Sequence, residues 1–123
     1  MSRVLVVDDS QSVLHFLRAV LEGERYEVAT AADGKEGLEK IRELRPDVVV
    51  TDSIMPQIDG YELVRALRED PATADIPVIM LTSADMNDPA HASREAQPDA
   101  FVKKSADFGP LLAEIKNALQ RHR

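Results

Sequence analysis

The feature that most constrains this chain is an alternation. Short, nearly continuous runs of β-branched and apolar residues take turns with longer stretches whose apolar residues recur every three to four positions. The runs are Val4–Val7, Tyr26–Thr30, Val48–Thr51, Val78–Leu81 and Ala100–Val102. Four of the five are continuous rather than alternating, the pattern of strands covered on both faces, as in parallel sheets. Between them, Ser12–Glu22 carries a stripe of Val13, Phe16, Leu17, Val20 and Leu21, which leaves Leu14 outside it. Lys35–Leu44 carries Leu38, Ile41 and Leu44; Tyr61–Glu69 carries Leu63, Val64 and Leu67; Leu111–Arg121 carries Leu111, Ile115, Ala118 and Leu119. These spacings predict amphipathic helices. A fourth helix is expected over Asn87–Ala96, with Pro89 in its first turn and Pro98 just beyond its end, but its alanines bury little area and should hold it loosely. Five strands and five helices in strict alternation mean an α/β domain with a doubly wound parallel sheet and right-handed crossovers. With 123 residues and no internal linker or repeat, one domain over 1–123 accounts for the chain.

Composition narrows the chemistry. A net charge of −7 argues against a general nucleic-acid or acidic-membrane surface, and the lack of cysteine excludes disulfides and thiolate metal sites. No apolar run approaches a membrane span, and a charged pair is reached by Asp8, so no signal peptide or anchor is expected and the location expected is the cytoplasm.

Polar residues collect where the strands end. Asp8 and Asp9 close the first run, Asp52 the third, Thr82 the fourth and Lys104 the fifth. In open α/β sheets the ligand crevice lies outside the carboxyl ends of the strands. Singly, each residue has a plain reading: Asp9 or Ser10 as a helix cap, Asp59-Gly60 as a turn, Thr82 as a strand residue, Lys104 as a surface lysine. Five together at one edge outweigh those readings. Three carboxylates within reach of one another cannot all stay ionised without a cation. Oxygen ligands without His or Cys select a hard ion, Mg²⁺ first and Mn²⁺ second, with positions left for phosphate oxygens. A lysine and a hydroxyl opposite would orient the remaining oxygens, and a carboxylate can itself act as a nucleophile to give an acyl phosphate.

Four motifs in order, "VLVVDDS", "DVVVTDSIMPQIDG", "IPVIMLTSA" and "AFVKKS", with 30 residues from Asp52 to Thr82 and 22 from Thr82 to Lys104, give the chain a resemblance to the receiver domain of two-component response regulators. The resemblance covers essentially the whole length. It implies a flavodoxin-like sheet of strand order 2-1-3-4-5. It implies that Asp52 accepts a phosphoryl group from a histidine kinase or phosphotransfer protein. Asp9, Asp52 and the carbonyl of Ile54 would ligate Mg²⁺, with Asp8 acting directly or through water. Lys104 would pair with the phosphoryl group, Thr82 would donate to it, and Phe101 would be the switch aromatic. Of the two lysines in "FVKKS", only Lys104 keeps the family's offset from the aromatic. Chemistry is then confined to Mg-dependent phosphorylation and dephosphorylation of the chain itself, so it is not expected to be an enzyme on other substrates. The output would be a downstream protein or a fused domain, without direct contact to nucleic acid or membrane.

Several positions depart from the family pattern. Ser105 replaces the usual proline after the lysine, and the Lys104–Ser105 bond is expected to be either trans or unusually strained. Gln97-Pro98 replaces a common Gly-Ala. Ile54 and Ala84 are apolar where dephosphorylation is often tuned, and Ser83 is small. On the first helix, which helps form the family's kinase docking surface, Leu14 stands either as a contact or as an ordinary exposed leucine. His15, His91 and His122 have no metal-ligand spacing. In the family a phosphorylation-dependent dimer often uses the face of the fourth helix, fifth strand and last helix; here that face is expected to be either atypical or better ordered only after phosphorylation. Rival classes fit less well. An aspartyl-phosphate phosphohydrolase needs an acid where Ser10 stands, and a mononucleotide carrier needs a phosphate cradle where "DDSQS" presents carboxylates. A docking module that is never phosphorylated would usually lack one of the five polar groups.

Overall fold

The structure, a computed structural model, describes residues 2–53, 58–82, 98–104 and 108–121. Five parallel strands, β1 (Arg3–Val7), β2 (Glu27–Ala31), β3 (Val48–Asp52), β4 (Val78–Thr82) and β5 (Ala100–Lys103), form one sheet in the order β2-β1-β3-β4-β5. The expected order and parallel pairing are both present, and β2 begins one residue later than its apolar run. The helices among the described residues are α1 (Gln11–Gly23), α2 (Gly34–Leu44), α3 (Gly60–Glu69) and α4 (Gly109–Arg121). The helix expected over 87–96 lies outside the described residues.

The continuous strand runs are continuous because both faces are covered. On one face Val4, Val6, Val48, Val50, Ile79, Leu81 and Val102 meet α1 and α4. On the other, Leu5, Val7, Val49, Val78 and Met80 meet Ile41 of α2 and Leu63, Val64 and Leu67 of α3. Each fully buried Leu or Ile of these layers contributes about 1.5–3 kcal/mol relative to exposure.

Local signals start the helices where the strands end. Ser10 caps α1 by accepting from the Val13 amide, so the plain capping reading holds for Ser10. Asp33 caps α2 through the Glu36 amide at 2.7 Å. Asp59 and Glu62 form a reciprocal capping box on α3, so the Asp59-Gly60 turn reading also holds. Gly60 is there for space. A Cβ on it would lie 2.3 Å from the carbonyl oxygen of Asp52. Without one, its amide donates to the Ser53 carbonyl at 3.1 Å.

One helix is rotated from expectation. Leu14 is 5% exposed and belongs to the α1–α4 core, whereas Phe16 is 57% exposed. The segment holds two overlapping stripes that share Leu17 and Leu21, and the sequence alone does not choose between them. The sheet face chooses: Leu14 fills it, Val13 packs against its edge, and Phe16 turns outward. There its ring lies against Phe108, centroids 5.4 Å apart, over a groove also lined by Ser12 and Val13. Leu14 is therefore neither an exposed leucine nor a docking contact.

Candidate functional site

Strand alternation builds the polar cluster. Side chains two apart on a strand share a face. Val6, Val50 and Val102 all face α1 and α4. Asp8, Asp52 and Lys104 each stand two residues further on, so all three emerge on that same face at the carboxyl edge of the sheet. The same rule separates the two lysines: Lys103 pairs with Thr82 at the sheet edge and is exposed, while Lys104 turns inward. Its amide donates to the Thr82 carbonyl at 2.8 Å, tying β5 to the end of β4.

The ammonium of Lys104 lies 3.0 Å from Oδ2 of Asp8 and 3.1 Å from Oδ2 of Asp52. The two adjacent aspartates thus draw their counter-charge from almost the far end of the chain. Asp8 is 1% exposed. Its Oδ1 accepts from the Ser10 amide at 2.9 Å, and its own amide donates to the Ala31 carbonyl at 3.1 Å. Asp9 is exposed, and Asp52 is half-buried. Asp8, Asp9 and Asp52 each place a carboxylate oxygen within 4.8 Å of the others.

The electrostatics follow. Burial pushes the Asp8 carboxyl above its ordinary range; the Ser10 amide and Lys104 oppose this, and the charge of Asp52 adds to it. Burial would lower Lys104, but its hydrogen bonds to Asp8 and Asp52 and their charges outweigh it and hold the ammonium above its ordinary value. One lysine against three carboxylates leaves a deficit of positive charge. A hard divalent cation suits that deficit and the all-oxygen donor set, so the residues present fit a magnesium ion. Among the described residues this is the one cluster of acids or histidines close enough to hold a metal, and His15 lies exposed outside it.

Thr82 is fully buried at the end of β4, and its Oγ1 accepts from the Ser53 hydroxyl at 2.9 Å. Phe101 is half-buried against the α2–α3 core, its ring 6.4 Å from that of Tyr61 at 49°. Ile54, Ser83, Ala84, Ser105, His91 and His122 lie outside the described residues, as does the geometry of the Lys104–Ser105 bond. Sequence reasoning passed over Ser53 and Tyr61. A serine directly after a buried strand's terminal aspartate was the signal for the first. Tyr61 had no signal beyond its place in an apolar stripe.

The chain is similar to known proteins over nearly its whole length. The family model described as the response regulator receiver domain matches residues 4–116. Response regulator MprA of Mycolicibacterium vanbaalenii is 39% identical over 119 residues, which are 97% of this chain and 51% of that protein. Response regulator PleD of Caulobacter vibrioides is 35% identical over 116 residues, 94% of this chain and 26% of that protein. The chain thus spans about half of one relative and a quarter of the other. Among solved structures, response regulator TrrA of Thermotoga maritima, in complex with Mg²⁺–BeF, superposes with a TM-score of 0.85 at 34% identity, covering 97% of this chain and all of that one.

Proposed function

Since the chain belongs to the response regulator receiver domain family, we propose that it is a phosphoacceptor whose reacting group is the carboxylate of Asp52. The observation that carries this reading is the placement of Lys104, 3.0 Å from Asp8 and 3.1 Å from Asp52, beside three converging carboxylates. An oxygen of Asp52 attacks the phosphorus of a phosphohistidine. The new O–P bond forms as the N–P bond breaks, and the imidazole leaves with the electron pair. The Lys104 ammonium then exchanges its contact with the Asp52 carboxylate for one with a phosphoryl oxygen, neutralising charge where it accumulates. Asp8, Asp9 and Asp52, with the carbonyl of Ile54, would hold Mg²⁺, or less readily Mn²⁺. When bound, the ion supplies charge neutralisation and orients phosphoryl oxygens. Thr82 donates its hydroxyl to the phosphoryl group, and Phe101 follows as the switch.

The donor is a histidine kinase or phosphotransfer protein, and the chain is a single receiver unit over 1–123 that performs no chemistry on other substrates. Because relatives extend well beyond the matched region, the output is carried by a linked domain or a downstream protein, with dimerisation on phosphorylation as one means of passing the signal. A cytoplasmic setting suits such a partner set. No helix among the described residues is long and apolar enough to cross a membrane. Intact mass after incubation with acetyl phosphate tests the reading. A phosphoryl-sized gain that requires both Mg²⁺ and Asp52 is expected. No gain in folded wild-type protein, or an equal gain in Asp52→Asn, refutes it.

A further inference from the structure

Ser53 follows the phosphoacceptor directly, and its buried hydroxyl has one member of the proposed switch as its partner. It is 4% exposed, and it donates to Oγ1 of the fully buried Thr82 at 2.9 Å. The backbone of Ser53 is pinned from the side of α3. The Gly60 amide donates to its carbonyl at 3.1 Å, and a Cβ on Gly60 would already lie 3.1 Å from its Cα. Ser53 is thus a fixed post, and Thr82 is the group it holds.

The direction of that hold follows from register. Asp52 pairs with Leu81, and paired residues of parallel strands share a face. Leu81 faces α1 and α4, as do Asp8 and Lys104. Thr82 comes one residue later and emerges with Met80 and Val78 on the α2–α3 face. The carboxylate of Asp52 and the hydroxyl of Thr82 therefore leave the sheet on opposite sides, and Ser53 bonds Thr82 on the side away from the carboxylate cluster. To donate to a phosphoryl group on Asp52, Thr82 must turn toward the other face and stretch or break its bond to Ser53.

We propose that Ser53 is a positioning residue that holds Thr82 in the unphosphorylated arrangement and so sets the threshold at which the switch moves. The proposal rests on the phosphoacceptor reading above. A neutral buried hydrogen bond is exchanged for a charge-assisted one to the phosphoryl group, so the switch still runs forward but from a lower starting level. Loss of one neutral bond from the resting state shifts that balance roughly two- to ten-fold.

The test measures binding of beryllofluoride, a phosphoryl stand-in, with Mg²⁺ present, by calorimetry on wild type, Ser53→Ala and Ser53→Cys. The cysteine fills the site with a slightly larger thiol that is only a weak donor, and it guards against a cavity-derived folding defect in the alanine variant. Both variants are expected to bind roughly two- to ten-fold tighter than wild type. In a Thr82→Ala background, where the post has no hydroxyl to hold, the gain should vanish. Unchanged or weaker binding in folded variants overturns the proposal. So does an equal gain in the Thr82→Ala background, which would mark Ser53 as a packing residue. Wild type that binds no beryllofluoride, or Asp52→Asn that binds it equally well, refutes the phosphoacceptor reading, and the Ser53 proposal falls with it. Wild-type binding with no effect of Ser53 refutes the second alone.

Discussion

Replacing Gly60 by alanine sets two physical effects against each other. Gly60 opens α3 and has no positive φ, so alanine suits its backbone. Helix propensity and reduced unfolded-state entropy then favour the change by about 0.5–1 kcal/mol. The site opposes it. The new Cβ would sit 2.3 Å from the Asp52 carbonyl oxygen and 3.1 Å from the Met80 methyl. The methionine can give way, but the carbonyl belongs to the end of a central strand. Cβ contacts closer than 3.0 Å are essentially never seen, so α3 and β3 must part by at least about 0.7 Å. That motion loosens Leu63, Val64 and Leu67, all fully buried. Overpacking of this kind costs about 1–3 kcal/mol. The net expectation is a loss of about 1–2 kcal/mol, or roughly 3–10 °C in Tm for a chain of this size. Because the displaced group is the peptide of Asp52, phosphorylation by acetyl phosphate should slow about ten-fold or more. Gly37→Ala is the control. Its Cβ would have the side chain of Val7 as its nearest neighbour, the methyls at 3.0 and 3.1 Å and no backbone atom among the three nearest, so whatever change in stability it brings should come without the loss of phosphorylation rate expected for Gly60→Ala. Thermal unfolding and intact-mass time courses read both quantities. A Gly60→Ala protein as stable as wild type or more so would refute the steric reasoning.

Other perturbations have equally definite outcomes. Asp8 has a folded pKa raised above its ordinary 3.8, so the folded state binds its proton more tightly than the unfolded state does. Metal-free stability contributed by this group is therefore fully present below about 3.8 and is lost as pH rises through the raised value. Asp8→Asn should flatten that fall in denaturant titrations; an unchanged slope would count against the burial of Asp8. Lys104 contributes in the opposite range, its stabilisation present below 10.5 and lost as pH rises through its elevated folded value. Lys104→Met leaves the carboxylates without their cation, so it should lower Tm at pH 7, be rescued by Mg²⁺ more than wild type is, and retain little phosphoryl group. In the wild type, Mg²⁺ at one hundred times its Kd should add about 2.7 kcal/mol, reversed by a chelator. Leu14→Ala should cost about 2–5 kcal/mol and Phe16→Ala under about 1 kcal/mol; the reverse order would restore the other stripe of α1.

The division between what could be read in the chain and what could not follows from the range of the forces involved. Strand runs, helix stripes and caps are local. Val4–Val7 reads as a two-sided strand because every residue of it is apolar, and Asp59-Gly60 reads as a turn ahead of a helix, which the structure closes with the capping box of Asp59 and Glu62. The edge cluster was also legible, since Asp52 and Thr82 each end a strand and Asp8 and Lys104 directly follow one. A strand's two-residue period makes the strand run itself a ruler for which face a terminal side chain takes.

Sequence by itself therefore determined the architecture, the parallel sheet and the set of polar groups at its carboxyl edge. Tertiary structure alone decided which way α1 turns, because Leu14 and Phe16 satisfy the same helical period and only the shape of the sheet face distinguishes them. It alone paired Ser53 with Thr82, 29 residues away, and brought Lys104 between Asp8 and Asp52. Those contacts depend on the register of β3, β4 and β5 against one another. Register is settled by the summed packing of the whole core, and no local stretch of residues carries it.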